Sequence, residues 1–376
     1  MSLKCKRIHS FEEFRSLQPA WLEVVKATGQ DSPFMSHDWF SCCWQAVQPE
    51  KKPEIIVVED GGGPVAILPF MRSRSAVRGL PVRVLSLLEC PDTPFLDLLI
   101  AGDQKKVIET FLRDQHGRSD WDIIRFQKIP VQSPVQKSLE AVLAGRNSWR
   151  EAGRDLSPVL DLRGSWEEFY AAKTQRFRKT IRNIQNRLER AGALEVEEQR
   201  AVDPDSPFFA ELLEVSRQSW KAEQGLAMAT MPRMPEFFRE LTRLASRNGW
   251  LRIWLLRLNG HAVATEYQIQ ANGVVHALRS DFAYGVREFS PGAYLNFRIV
   301  QGLFESGDVT RYDMGPGTND YKLRWASGSQ ETTRLEIYRE SFYGRLLRTI
   351  ETKAVPMARK WRDRVQPEEA PEAVAS

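Results

Sequence analysis

Cysteine is scarce in this chain and badly placed for metal. There are four among 376 residues, Cys5, Cys42, Cys43 and Cys90, all in the first quarter. None has metal-ligand spacing, and the adjacent Cys42 and Cys43 point different ways. Buried, reduced thiols are expected rather than a zinc site. The five histidines, His9, His37, His116, His261 and His276, form no spaced cluster, so no metal is expected. No run approaches the ~18 apolar residues of a membrane span. The opening MSLKCKRIHS lacks an apolar core after its positive charges, so no secretory signal is expected and the cytoplasm is the expected compartment. A dominant charge is missing too: 53 basic against 49 acidic residues leave a formal +4. That balance does not demand a nucleic-acid partner and is compatible with anionic substrates.

What is present is an ordinary globular composition, 42% hydrophobic and 27% charged, in a chain long enough for two domains. Its most organised stretch is 250–325. Three strand-like runs are joined by Asn259-Gly260 and Asn272-Gly273, and Asn-Gly between apolar runs is a strong hairpin signal because both residues tolerate positive φ. The loop Tyr284–Gly292 opens a helix from about Ala293 to Ser306, which Gly307 ends. A short strand, Thr310–Met314, is broken by Gly315-Pro316-Gly317 before Tyr321 and Lys322. A strand feeding a helix N-terminus can carry an anion there.

The first half has the same shape. IIVVEDGGGPVAILPF parallels IWLLRLNGHAVATEYQI, and DIIRFQKIP parallels TRYDMGPG, so one α/β unit is read as duplicated. Helices are expected over 10–28, capped by Ser10 with Glu13, and over 34–47, whose aromatics are read as core. A further helix is expected at 134–144, and a strand near 157–160. From the Ser165 cap one helix is expected to run to Gly192. Between Lys173 and Arg190 it carries seven basic residues and one acid, with Phe177, Ile181, Ile184 and Leu188 on one apolar face. Helices also cover 207–220 and 234–248, and residues 221–234 between them read either as a plain connection or as a loop covering a site. A basic amphipathic helix over 342–365 includes Arg345, Arg348, Lys353, Arg359, Lys360 and Arg362. The tail 366–376 has the composition of disorder.

At FRKTIRNIQNRLERAG, LRLNGHAVATEYQI, the Tyr284…Ser290-Pro-Gly-Ala…Leu295 segment and DMGPGTNDYKLRW, the chain resembles the GNAT acyltransferase superfamily in its tandem FemAB-like branch. It is most similar to the acetyltransferase domain of cellulose-biosynthesis CelD-type proteins, and the resemblance covers nearly the whole chain. It implies an α/β (α+β) protein of two tandem GNAT folds, each a mixed, mostly antiparallel sheet flanked by helices, with a cleft near their junction. The expected units are 1–160, 161–340 and a basic C-terminal helix with its tail, 341–376. The resemblance also implies transfer of an acyl group from acyl-CoA, as cosubstrate, to an amino group on an exopolysaccharide or cell-envelope precursor. Alternatives are an aminoacyl-tRNA-dependent peptidoglycan ligase and a non-catalytic module retaining the fold. No long helical hairpin for tRNA is inserted here, which favours acyl-CoA.

Amide formation from a thioester needs a held donor, a deprotonated amine and a stabilised oxyanion. In the superfamily the donor pyrophosphate sits between a strand and a helix. Here Arg287, Ser290, Gly292, Ala293 and Tyr294 stand in that place, with Ser290 where the first glycine belongs and Pro291 unable to donate an N–H. Asp281, leaving the third central strand beside Arg279 and Ser280, is the first candidate for a base or amine-orienting group. Glu266 is the second. Asp313, Tyr321 and Lys322 match the family's last motif: Lys322 is read as an oxyanion or phosphate cation, and Tyr321 as the acid for the leaving thiolate. Arg279 and Asp313 are assigned to substrate. Arg178, Lys179 and Arg182 are assigned to anionic substrate, and the helix that bears them is read either as a solvated face or as a surface for CoA phosphates, a nucleotide-linked sugar or lipid headgroups. The C-terminal basic helix is read as a peripheral contact with the inner membrane, a dimer contact or an aid to solubility.

Overall fold

The computed structural model describes residues 2–354. Among them, thirteen strands join one mixed sheet. The first unit starts with β1 (Lys4–Ile8), α1 (Phe11–Ser16) and α2 (Gln18–Thr28). The single helix expected over 10–28 is two: α1 ends at Leu17, and Pro19 sits in the first turn of α2, where its missing N–H costs nothing. Ser10 accepts from the Glu13 N–H, as its capping spacing requires. A 3-10 turn at Pro33–Met35 precedes α3 (His37–Ala46), which starts at the Ser36 cap rather than at Phe34. Phe34, Trp39 and Phe40 are buried core. Strands β2 (Lys52–Glu59), β3 (Pro64–Val77) and β4 (Leu80–Leu87) form an antiparallel meander, and β5 (Leu99–Ile100) pairs with β3. Helix α4 (Gln104–His116) then crosses over to β6 (Ile123–Pro130), parallel to β4. Helix α5 (Pro134–Leu143) and β7 (Trp149–Asp161) follow. β7 begins far earlier than the expected strand near 157–160.

The second unit repeats this order. Helices α6 (Trp166–Ala172) and α7 (Gln175–Ala191) replace the single helix expected from Ser165, because Thr174 turns out of the helix and caps a new one through the Phe177 N–H. Then come β8 (Leu194–Gln199), α8 (Pro207–Arg217), the short α9 (Trp220–Glu223) and α10 (Met234–Arg247). The meander is β9 (Leu251–Leu258), β10 (His261–Ala271) and β11 (Val274–Phe282), turned at Asn259-Gly260 and Asn272-Gly273, all four at positive φ. Helix α11 (Pro291–Ser306) crosses over to β12 (Arg311–Asp313), parallel to β11. The Tyr321-Lys322 motif lies on a short helix, α12 (Asp320–Trp325). β13 (Gly328–Tyr338), α13 (Phe342–Thr349) and a π-helical turn, Ile350–Ala354, that carries Lys353 complete the described chain. Of the expected basic C-terminal helix, Arg345 and Arg348 lie on α13. Arg359, Lys360, Arg362 and the tail 366–376 lie outside the described residues.

Each unit thus has a meander whose last strand pairs in parallel with the strand after the crossover helix: β4 with β6, β11 with β12. The closing strands then exchange. β7 of the first half pairs with β12 of the second, β13 of the second pairs with β6 of the first, and β7 and β13 pair with each other. This exchange fuses the two sheets into one and accounts for the length of β7. The apolar faces follow: one core cluster runs from Phe14 and Trp39 to Leu335 and Ile337, and another packs α7 and α11 on the second unit's strands.

Leu335 is fully buried on β13 opposite Phe126 of β6, where the halves join. Leu335→Ala is expected to cost about 2–5 kcal/mol in urea denaturation. Because the strand belongs to both halves' sheet, a single transition should shift as a whole. Loss of under ~1 kcal/mol would mean the seam does not carry the fold.

Candidate active site

Strand β12 stays beside β11 only where Arg311–Asp313 pair with Val274–His276. Past that point the chain after β12 follows β7 instead: the Met314 N–H donates to Pro158 O and the Gly317 N–H to Leu156 O. β11 meanwhile bulges at Leu278, which has no partner on β10, and continues to Phe282. Two parallel strands that part in this way leave a free sheet edge, and a cleft of about 1380 Å³ opens there. At its apex Gly315 has φ +74°, and an added Cβ would stand 3.1 Å from the Ala277 carbonyl, so a side chain has no room.

The matching gap in the first unit is closed. After β4, the Leu88 N–H donates to Pro69 O and the Leu96 N–H to Lys128 O, and Leu96 and Leu98 are buried in the space. The same loop presents Pro91–Pro94 to the second unit's cleft. One half of the duplication therefore keeps the cleft, and the other supplies part of its wall.

Because β11 is an edge beyond its bulge, the cleft reaches both faces of the sheet. Paired residues of antiparallel strands share a face. Glu266 pairs with Ser280 on the face under α7 and α11, and Thr265 pairs with Asp281 on the face under α8. On the first face the N-terminus of α11 lines the cleft through Ser290, Gly292 and Ala293. Ser290 is left-handed (φ 56°) and its side chain makes no cap, so the N–H groups of Gly292 and Ala293 in the first turn lack helical acceptors. Asn296, 7% exposed, lines the same wall with its Nδ2 unpartnered.

Glu266 is buried at the cleft floor, accepting from the Tyr312 hydroxyl, from Gln268 Nε2 (2.7 Å) and from Ser280 Oγ (2.6 Å). Beside it Tyr321 is 47% exposed as a residue, but desolvation of its phenol within the cleft and the Glu266 charge push it up to about 12, so it stays protonated at neutral pH. Burial lowers the Lys322 ammonium from its ordinary value, against the opposing pull of Glu266 and Asp313. Lys322 Nζ donates to Gly315 O (3.1 Å) and Pro316 O (2.9 Å), which leaves one of its three N–H groups for the cleft. On the opposite face Asp281 is fully buried, and Lys221 Nζ lies 2.8 Å from its Oδ1.

Of the residues assigned from sequence, Asp281, Glu266, Tyr321, Lys322, Arg279, Arg287, Ser290, Gly292 and Ala293 converge on this one cleft. Others take different places. Tyr294 is buried in the core beneath α11. Asp313 turns inward to accept the Gly315 N–H at 2.9 Å, with His276 Nδ1 3.5 Å away, and so shapes the apex. The Arg279 fork is taken by Asp92 (2.8 Å) and the Leu226 carbonyl (2.8 Å), so it braces the wall rather than offering a free cation. Arg287 stacks on Tyr284, its guanidinium carbon 4.3 Å from the ring centroid. On α7 the 3.6-residue period turns Arg176, Phe177 and Thr180 to the cleft, beside Lys173 from the break before the helix, and Arg178, Lys179 and Arg182 off its lining. Sequence reasoning missed Lys221, Asp92, Thr265, Ser280, Asn296 and Tyr312 as parts of the site. For Ser280 and Thr265 the Asn272-Gly273 turn alone would have misled, since its register sets Glu266 opposite Arg279 and Thr265 opposite Ser280, and only the bulge at Leu278 shifts the pairs by one. For Lys221 the one signal was the reading of 221–234 as a loop covering a site, and for Asp92 there was none.

Residues 175–323 match the family model described as Acetyltransferase (GNAT) domain. No curated protein matches the chain. Among solved structures, FemX is similar at TM-score 0.55 and 12% identity, with 92% of this chain and 100% of that one covered. L-PGS from Bacillus licheniformis is similar at 0.52 and 15%, covering 91% and 96%. A tandem GNAT protein from the clavulanic acid biosynthesis pathway is similar at 0.51 and 12%, covering 90% and 99%. At these identities the likeness is one of fold, and the fold is the tandem one. Among the described residues no group of His, Cys, Asp or Glu could hold a metal, and no helix is long and apolar enough to cross a membrane.

Burial raises the Asp92 carboxyl and Arg279 pulls it back down. Removing one partner strands the other, so Asp92→Ala is expected to cost about 3–5 kcal/mol. The Asp92→Ala/Arg279→Met double variant should recover most of that in thermal denaturation. Equal losses in single and double variants would show that the pair does not brace the wall.

Proposed function

We propose that this chain, a tandem GNAT/FemAB-like fold with its GNAT domain match over residues 175–323, is an N-acyltransferase that moves an acyl group from acyl-CoA to an amino group on an exopolysaccharide or cell-envelope precursor. The observation that carries the reading is the cleft at the parting of β11 and β12, open to both faces of the sheet. A donor can enter from the α11 side and an acceptor from the α8 side, meeting at the strand edge. The open N–H groups of Gly292 and Ala293 and the positive end of the α11 dipole suit the donor's pyrophosphate. Lys173 and Arg176 at the rim add positive charge on that side.

In this reading Asp281 orients the acceptor and takes a proton from its nitrogen. The amine nitrogen bonds to the thioester carbonyl carbon and the C–S bond breaks. Tyr321, held protonated, gives its proton to the leaving thiolate. Lys322, with one N–H uncommitted, donates to the developing oxyanion. The work would be done in the cytoplasm, at or near the inner membrane, where the basic α7 and the basic C-terminal segment meet anionic headgroups. Arg176, Arg178, Lys179 and Arg182 have no ion-pair partner among the described residues, which favours an anion-facing role for α7 over a self-paired solvated face.

Thermal-shift titration with acetyl-CoA, longer acyl-CoAs and UDP-amino sugars tests the reading. A saturating thioester at ~100 times its Kd should add about 2.7 kcal/mol of stability. Absence of a shift with every CoA thioester, or transfer that requires charged tRNA and ignores acyl-CoA, would overturn it. Once an acceptor is in hand, Asp281→Asn and Tyr321→Phe should each lower kcat/KM by roughly 10²–10⁴-fold while leaving the acetyl-CoA shift in place.

A further inference from the structure

Asp281 presents an unusual combination. It is a carboxylate at the cleft, 4% exposed as a residue and fully buried in its side chain. A charge withdrawn from water in this way needs a cation and hydrogen bonds to its lone pairs. The two other nearby cations are committed: Arg279 to Asp92 and Leu226 O, Lys322 to two backbone carbonyls. Lys221 alone supplies the charge, with Nζ 2.8 Å from Oδ1 and 2.5 Å from Ser280 O. Yet neither carboxylate oxygen accepts a hydrogen bond of good geometry, and the Thr265 hydroxyl paired across the strands is also buried without a partner. The group is neutralised but not satisfied.

The cation that does this comes from a short connecting segment. Lys221 sits on the four-residue α9, in the connection between α8 and α10. Its neighbours Trp220 and Leu226 are 39% and 49% exposed. Residues 219–226 are tied to the cleft by Lys221 itself and by the Arg279 bond to Leu226 O, whereas Ala227 and Met228 beyond them are buried in the core. It covers the cleft on the Asp281 face, the side left to the acceptor if the donor's phosphates lie on α11.

We propose that Lys221 stands in for the acceptor's nitrogen, and that the acceptor is a primary ammonium on an alkyl arm, which replaces Lys221 between Asp281 and the Ser280 carbonyl. This rests on the acyltransferase reading and narrows its acceptor. An alcohol or a carboxamide nitrogen could not take the place, because it would leave Asp281 buried with no counter-charge. An incoming ammonium keeps the charge balance and brings N–H donors to the unused lone pairs of Asp281 and to Thr265 Oγ1. Loss of one proton to Asp281 then makes it a nucleophile at the strand edge, where the donor's carbonyl carbon arrives. The new C–N bond replaces the C–S bond; the thiol leaves carrying the proton from Tyr321, and the second proton shed by the nitrogen restores the Tyr321 phenol. While Lys221 occupies the place, only the fraction of molecules with the arm withdrawn can bind acceptor, so the apparent affinity is reduced by that fraction.

The test uses the full chain with acetyl-CoA and n-butylamine as a surrogate acceptor, following release of the CoA thiol and formation of N-butylacetamide by mass spectrometry. Lys221→Ala is expected to form the amide about tenfold or more faster than wild type at subsaturating n-butylamine. n-Butanol should give no ester in either, and Asp281→Asn added to Lys221→Ala should abolish the gain. In wild type, saturating n-butylammonium should also raise amide hydrogen exchange across residues 219–231 as the arm is displaced. That measurement needs no variant to fold. A Lys221→Ala protein that binds acetyl-CoA yet forms no more N-butylacetamide than wild type overturns the inference and leaves the acyltransferase reading standing. So does unchanged exchange over 219–231. Failure of wild type and variants alike to bind any acyl-CoA overturns that reading, and this inference with it.

Discussion

Parallel pairing between β11 and β12 lasts only from Val274–His276 against Arg311–Asp313, and the molecule is arranged around that interruption. A parallel sheet interior has no room for a ligand, because each strand satisfies its neighbour's N–H and C=O groups. Here the bulge at Leu278 turns β11 away while Met314 and Gly317 bond to β7. The backbone groups lost by β11 are not replaced by another strand. They are left facing a cleft, between a helix N-terminus on one face and a buried carboxylate on the other.

The exchange of closing strands makes this interruption affordable. β7 and β13 pair with each other along their length and with β12 and β6 outside, so the sheet is continuous where its partial opening would otherwise weaken it. Duplication also lets the halves diverge in use. In the first unit residues 88–98 fill the gap between β4 and β6, and Leu96 bonds to Lys128 O where a ligand would have to lie. That filling carries Asp92 to Arg279 and so braces the second unit's wall. The buried carboxylates divide accordingly. Of the three at the cleft, Asp92 is taken by an arginine, Glu266 by Tyr312, Gln268 and Ser280, and Asp281 keeps acceptor capacity.

Much of this was legible from local patterns, since turns and caps are chemistry between neighbours in sequence. Asn259-Gly260 and Asn272-Gly273 set the meander, although the bulge at Leu278 moves the register by one and so decides that Thr265 faces Asp281 and Glu266 faces Ser280. Ser10, Ser133 and Ser165 cap helices where their spacing requires. The repeat of shape between the halves reappears as the repeat of strand order. The errors were also local. Leu17 and Thr174 break helices that apolar periodicity carries straight through, because periodicity registers burial and not the dihedral angles of one residue. Charge density on α7 drew attention to Arg178, Lys179 and Arg182, whereas the face of that helix turned to the cleft carries Arg176, Phe177 and Thr180.

By itself the sequence determined the elements, the duplication and the residue types at the ends of the central strands, all of which depend on neighbours a few positions apart. Only the tertiary structure decided which of two equivalent gaps stays open, which carboxylate keeps unused lone pairs, and which cation meets it. Asp281 and Lys221 are separated by sixty residues of chain, and Arg279 and Asp92 by 187. Whether a buried charge is free to act depends on what the fold brings within about 3 Å of it, and no pattern along the chain encodes that distance.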